Sequence, residues 1–548
     1  MAGQVEQGSG QIGRVAYWVL WAIGLFSLAS VPAQAQHAHE ADGASGLVPH
    51  EILERPVPLR QGIGKVHEEV TTSSREAQAF YDQGLAYLHS FVWIEAARSF
   101  YQALRLDPSL AMASLGLSDA YIGLQDFQGA RAAFENAQSL AGKASDRERA
   151  RLRIRAQQLD YLQDSGNLQK YFAYRQAVTD ALTASPDDPW LWILRGFADE
   201  GTPLAHGQGG GMDTVAFYET ALAFSPGNFA AHHYLAHTLE NYGPAQKALE
   251  ESGEYVRLAP AIPHAHHMHG HNLRRLGRTE EAIQEFLKAR ELEDTYYRTE
   301  NIPAQFDWHR AHNLQLLGMS YQALGQMKAA EEAFRAGFSL PVYTDFAEFN
   351  RRAWPEFLLE RGRAEEALAA AQELVKGRWA MGRFAGHSLA GRALLAMDRI
   401  EGARNELALA EREMEQLPVT VIKSLQDTVM LRAEILLREK NEDKGNALME
   451  QVEELIVAVP GPDAWSEALF QLDSIARMAR EIGDWELAGY TARKMVTHDP
   501  SYAGGYFASA FVAEHQGDTS GARQAFATGE KLWSKADADV QRSHTQKP

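Results

Sequence analysis

Eight of the twenty histidines in this 548-residue chain lie between Phe229 and Leu276: His232, His233, His237, His264, His266, His267, His269 and His271. His233 and His237 are four residues apart, His267 and His271 likewise, and the second pair follows the first by 34 residues. On a helix, an i, i+4 pair shares one face with its Cβ atoms about 5–6 Å apart, a span over which two imidazoles chelate one ion. Packed helix axes lie about 8–10 Å apart, so two such pairs on neighbouring helices can face one another. The spacing therefore predicts a centre in which His233 and His237 oppose His267 and His271. His264, His309 and His312 are further candidate ligands, and Glu240 and Asp307 are the carboxylates within reach. Asp307 orients a ligand or caps the helix it precedes. The chain has no cysteine, which removes disulfides, thiolate metal sites and cysteine nucleophiles. Imidazole with carboxylate suits a transition ion, here copper or zinc.

Other residues of the stretch read differently. His232, His266 and His269 fit packing or supporting roles, and Met268 fits helix–helix packing better than thioether ligation. His206, in the glycine-rich segment Glu200 to Met212, is placed to reach over the site as a lid.

The elements that must carry these residues begin at Ser73. From there, apolar residues recur at i, i+3, i+4 and i+7 over segments of about a dozen residues, joined by short turns with Gly, Asp-Pro or Pro. No segment alternates for long with period two, so the chain is all-α. In AFYDQGLAYLHSFVWIEAARSFYQALRLDP (Ala79 to Pro108), Gly84, Tyr87, Ala96, Phe100, Ala103 and Pro108 carry a resemblance to the tetratricopeptide repeat (TPR), a helix pair with a 34-residue period. The register recurs at Tyr121, Ala130, Phe134 and Ala137, at Gly270, Leu273, Gly277, Ala282, Phe286 and Ala289, and at Gly318, Tyr321, Gly325, Ala330 and Phe334. It is weaker between about residues 140 and 190 and from 345 to 460. The resemblance implies a right-handed α-solenoid of about eleven TPR-like helix pairs.

The resemblance also implies that positions 2, 5, 9, 12 and 13 of each first helix line the concave groove. His233 and His267 then stand at position 5, His237 and His271 at position 9, and Ala230, His264 and His312 at position 2. Arg274 and Arg275, at positions 12 and 13, become groove residues for a substrate or partner, together with Glu240 and Asp307. The lysine and asparagine pattern of chaperone-binding members is absent at positions 5 and 9.

At the N-terminus, Arg14, the apolar run Val15 to Ala29 and the small-x-small site Ala33-Gln34-Ala35 read as an export signal over residues 1–35. The run is short of the roughly twenty residues a spanning helix needs, so no membrane span is expected after cleavage, and the location is periplasmic or secreted. The remaining divisions are a loosely ordered leader (36–72), N-terminal repeats (73–140), degenerate repeats with the glycine-rich insertion (141–228), histidine-rich repeats (229–341), C-terminal repeats (342–535) and a tail (536–548). A second insertion, Asp294 to Arg310, separates two histidine-bearing units, and insertions in repeat arrays commonly sit on a binding face.

The net charge of −19 argues against a nucleic-acid partner, whose phosphates it would repel. No P-loop, dinucleotide fingerprint, G-x-S-x-G elbow or H-E-x-x-H is present. Three functions fit: an exported solenoid that binds a transition metal and handles it or acts as a scaffold; a metal-independent scaffold for a protein or peptide; and a metal-dependent hydrolase or oxidase with Glu240 or Asp307 as base.

Overall fold

The computed structural model describes residues 48–202, 204, 206–342, 344–417, 425–538 and 540. The export signal and the end of the tail lie outside them. Among the described residues the chain is a solenoid of antiparallel helix pairs. The pairs begin at Arg75, Ala111, Asp146, Pro189, Phe229, Pro263, Trp308, Ala353, Ala380, Asp427, Pro462 and Ala503, so twelve pairs stand where about eleven were expected. No described helix is long and apolar enough to cross a membrane.

Three of the pairs share one recurrent contact. Gly84 and Gly116 both abut the ring of Phe100, Gly270 abuts Phe286, and Gly318 abuts Phe334; a Cβ at any of these glycines would fall within 2.7 Å of a ring carbon. The large ring of the second helix thus fills the space that glycine leaves in the first. Burying such rings fully, as Phe100 and Phe286 are, stabilises each pair by about 1.5–3 kcal/mol per side chain.

Local signals start the site-bearing helices. Asn228 caps Phe229–Tyr242 by accepting from the amides of Ala230 and Ala231, Pro263 opens Pro263–Arg275, and Asp307 caps Trp308–Ala323 by accepting from the amide of His309. The second insertion is largely helical. It extends Thr279–Glu300 to 22 residues before Asn301 ends it in the left-handed conformation.

That extension reaches the N-terminal repeat. Glu300 pairs with Arg98 at 2.9 Å, the Tyr296 hydroxyl donates to Glu95 at 3.1 Å, and the Trp308 indole donates to the Phe91 carbonyl at 3.2 Å. From the other end, Arg274 pairs with Asp499 at 2.8 Å and the Trp533 indole donates to the Ala323 carbonyl at 2.9 Å. The superhelix therefore closes on its own middle repeats, and the histidine face is interior.

Residues 48–72 depart from the loose leader expected of them. Ile52, Leu53, Val57, Ile63 and Val70 are buried, Gly64 lies against the Phe229 ring, and the Gly62 carbonyl accepts from the Ala261 amide at 2.8 Å. This is irregular chain laid on a helical surface, and such packing has no period to reveal it.

Glu68, in the same segment, accepts two hydrogen bonds from Arg151, at 3.0 and 2.8 Å. Burial raises its carboxyl, but Arg151 and Arg147 pull it down further, to a net value below the usual range. A depressed carboxylate contributes stability that is present above the unfolded value of about 4.3 and is lost as pH falls through the lower folded value. Thermal unfolding followed from pH 7 to pH 3 is expected to show this loss below about pH 4.3. Glu68→Gln should be less stable at pH 7 and less sensitive to acid, and an unchanged acid limb would contradict the assignment.

Candidate metal centre

The predicted pairs do share the interior face, but they do not converge as one set of four. The histidines form two triads. His233, His237 and His264 make the first, and His267, His271 and His312 the second; within each, one ligand atom per residue lies within 4.8 Å of the others, and all six side chains are buried. The repeat geometry explains the difference. Positions 5 and 9 of one repeat meet position 2 of the next, because successive first helices are stepped along the solenoid rather than set face to face. Ala230 at position 2 means that no such triad forms one repeat earlier.

In the first triad, hydrogen bonds fix which nitrogen faces inward. His233 Nδ1 donates to the His89 carbonyl at 2.8 Å, and His237 Nδ1 donates to Glu240 Oε1 at 2.8 Å. Both therefore present an Nε2 lone pair. His264 Nε2 lies 3.0 Å from His233 Nε2 and 3.4 Å from His237 Nε2. A tetrahedral ion at about 2.0–2.1 Å from each nitrogen needs them about 3.4 Å apart; the His264–His237 pair stands at that spacing and the His264–His233 pair is closer.

In the second triad one ring is fixed from behind in the same way. His267 Nδ1 donates to Asn313 Oδ1 at 3.0 Å, while Asn313 Nδ2 donates to the Phe286 carbonyl at 3.0 Å, so the amide is locked and His267 Nε2 carries the lone pair. His267 Nε2 and His271 Nε2 are buried without a hydrogen-bond partner among the described residues. His312 completes the group, with Asp463 Oδ2 3.6 Å from its Nε2.

Glu240 joins the two triads. Its Oε1 holds His237, and its Oε2 lies 3.4 Å from His271 Nδ1. Burial raises this carboxyl, His237 and His271 lower it more, and the net value is about 2. Burial also holds His233, His264 and His267 well below the ordinary histidine value, and His312 down to about 4. These four imidazoles are neutral at pH 7, the form that ligates metal.

His309 stands between the triads. Its ring centre is 5.3 Å from that of His264 and 4.5 Å from that of His267. Its Nδ1 pairs with Glu293 at 2.5 Å, and its Nε2 is buried without a hydrogen-bond partner among the described residues. A carboxylate behind each ring nitrogen that faces away from the site is the usual second layer of a histidine metal site.

The four residues expected to face a substrate or partner are turned to internal use. Arg274 is buried against Asp499 and lies over the Trp465 ring at 4.9 Å. Arg275 hydrogen-bonds the Glu240 carbonyl, and Glu240 serves the triads. Asp307 caps its helix and accepts from the Tyr297 hydroxyl at 2.7 Å. The groove carrying them is filled by the chain's own ends, so they do not line an open partner surface.

The supporting histidines behave as their register implies. His232 Nδ1 pairs with Glu251 at 2.6 Å and His266 Nδ1 with Glu285 at 2.6 Å, the carboxylate following each by 19 residues on the second helix. His387 and Glu406 repeat this clasp. His269 contacts Ser252, and Met268 is fully buried in the core. His206 is 5.2 Å from Trp93 and 6.4 Å from Phe91, ring to ring, beside the triads rather than over them.

Sequence reasoning missed Phe91, whose ring packs 4.6 Å from that of His233 and 5.1 Å from that of His264. It also missed the supporting roles of the His89 carbonyl, Asn313 and Glu293. A weak signal existed in FVW at 91–93, a run of large apolar residues where a turn favours small or polar ones; Phe91 adopts φ 58° there.

The helix pairs and their interior define an all-α solenoid of TPR-like repeats with a histidine-lined interior. The tetratricopeptide-repeat family model matches residues 263–296 and 311–341, segments that include His264, His267, His271 and His312. No curated protein matches the chain. Solved structures similar to it include yeast Tom70 (13% identity, 79% of this chain and 92% of that one, TM-score 0.38). Another is a tetratricopeptide repeat protein from Parabacteroides merdae (17% identity, 50% and 97%, TM-score 0.35). A third is a human IFIT1 dimer with m7Gppp-AAAA (11% identity, 85% and 92%, TM-score 0.35). Repeat solenoids of this kind commonly serve as protein-binding scaffolds.

Proposed function

We propose that this chain is an exported TPR solenoid whose closed interior holds two transition-metal ions, copper or zinc. One sits on His233, His237 and His264 and the other on His267, His271 and His312. The observation that carries this reading is the repeated triad: three buried imidazoles with ligand atoms within 4.8 Å of one another, formed twice. Burying so many imidazoles with unpaired nitrogens is costly, and an ion on each triad offsets that cost. Three histidine ligands with a fourth position open is the arrangement of reactive rather than purely structural zinc.

Metal analysis of the purified chain, loaded with zinc or copper and then dialysed, tests the reading. About two ions per chain are expected, falling to one in His233→Ala/His264→Ala and to one in His267→Ala/His271→Ala. A loaded chain that retains none sinks it. If the solenoid also binds a protein, the partner surface lies outside the histidine face, since Arg274, Arg275, Glu240 and Asp307 are engaged within the chain.

A further inference from the structure

A cavity of about 110 Å³ lies against the histidines, between the N-terminal repeat and the second insertion. Most of its wall is apolar, with Phe91, Trp93, Leu124, Ile262, Leu292 and Trp308 among the lining residues. His264, a member of the first triad, and His309 form the side facing the metal centre. The acids at its margin are already committed. Glu95 holds Arg98 and Tyr296, and Asp307 holds the His309 amide and the Tyr297 hydroxyl. Ser90 also lines it, and Ser90 Oγ and His309 Nε2 are buried without a hydrogen-bond partner among the described residues, the latter on a residue only 5% exposed and on the side of the metal centre. His309 is not a member of either triad, so ligation of two ions by three histidines each does not account for it.

Resting on the two-ion reading above, we propose that this cavity is a small-molecule site. It takes a ligand with one ring-sized apolar group and an oxygen-bearing head, the apolar group filling the space between Trp93 and Trp308 and the head reaching the open position of the ion on His233, His237 and His264, with His309 Nε2 as its hydrogen-bond partner. The size limits the apolar group to a single ring: the space is smaller than the apolar cavity of about 150 Å³ that holds a benzene molecule. The chemistry fits as well, since ligand sites combine apolar walls with a few convergent polar groups. Trp308 ties the site together, its ring centre 5.7 Å from that of His264 and its indole bonded to the Phe91 carbonyl.

The test uses the full chain loaded with Co(II), its metal content measured on the same sample, and titrated with benzohydroxamate and acetohydroxamate. The two probes share a metal-binding head and differ in the ring. Benzohydroxamate is expected to bind at least about tenfold more tightly, about 1.4 kcal/mol, with a change in the visible Co(II) spectrum. Leu292→Trp, which fills the cavity, should abolish the preference while leaving metal content unchanged, and Leu124→Phe serves if that variant does not fold. Equal binding of the two probes by metal-replete wild type overturns the proposal alone, as does a preference that survives both filled variants. A chain that retains neither Co(II) nor zinc nor copper overturns this proposal and the two-ion reading together.

Discussion

Glu240→Ala is expected to weaken metal binding at both triads, by about 10–100-fold each, the usual effect of removing an outer-layer carboxylate. One carboxylate touches both sites: Oε1 accepts from His237 Nδ1, and Oε2 lies beside His271 Nδ1. With it gone, the proton on each Nδ1 has no fixed acceptor, the rings lose their set orientation, and the ligand nitrogens lose basicity. Glu240→Gln retains an acceptor for one histidine and should lose less. Glu293→Ala is the contrast, because Glu293 backs His309 and Arg310 but no triad member, and both triad affinities should survive it. Competition against a chromogenic chelator resolves the two sites, and a Glu240→Ala chain with either affinity unchanged would break the proposed link.

The helical repeats were legible because their signal is local and repeated. Gly84 with Phe100, Gly270 with Phe286 and Gly318 with Phe334 are one contact written three times at fixed spacing. Register alone also separated His233, His237, His267 and His271 from His232 and His266, which clasp glutamates on their own partner helices. What could not be read was the step between repeats. A sequence shows that two helices share a face, but not how far one is displaced along the other. That displacement, set by packing of whole pairs, turns one expected site of four into two of three and promotes His264 and His312 from candidates to members. Closure of the superhelix was illegible for a similar reason. Arg274 meets Asp499 across 225 residues, and neither residue carries a mark of the other, so Arg274 read as an open groove position. The packed leader was hidden because irregular chain has no period.

Closure leads to the second large effect. Asp499→Ala is expected to destabilise the chain by about 3–5 kcal/mol, the cost of leaving a buried charge without its partner. Arg274 and Asp499 are 4% and 2% exposed, and Arg274 Nη1 lies 2.8 Å from Asp499 Oδ2. Burial raises the Asp499 carboxyl, but Arg274 and Ser501 hold it below its usual value, so it is ionised at pH 7 and the guanidinium depends on it. Urea unfolding monitored by circular dichroism measures the loss. The same variant separates the two triads: Arg274 ends the helix that carries His267 and His271, and its clasp to the C-terminal repeat holds that helix against the Pro462–Ile482 helix bearing Asp463, the carboxylate beside His312. The second triad, with two of its ligands on the Pro263–Arg275 helix, should therefore lose more affinity than the first, which has only His264 there; its His233 and His237 are carried by a different helix, and His233 is backed by the N-terminal repeat through the His89 carbonyl. Replacing both members, Arg274→Leu/Asp499→Leu, removes the stranded charge and should recover much of the stability. Were the double variant as unstable as the single one, the loss would lie in packing around Asp499 and not in the unpaired guanidinium.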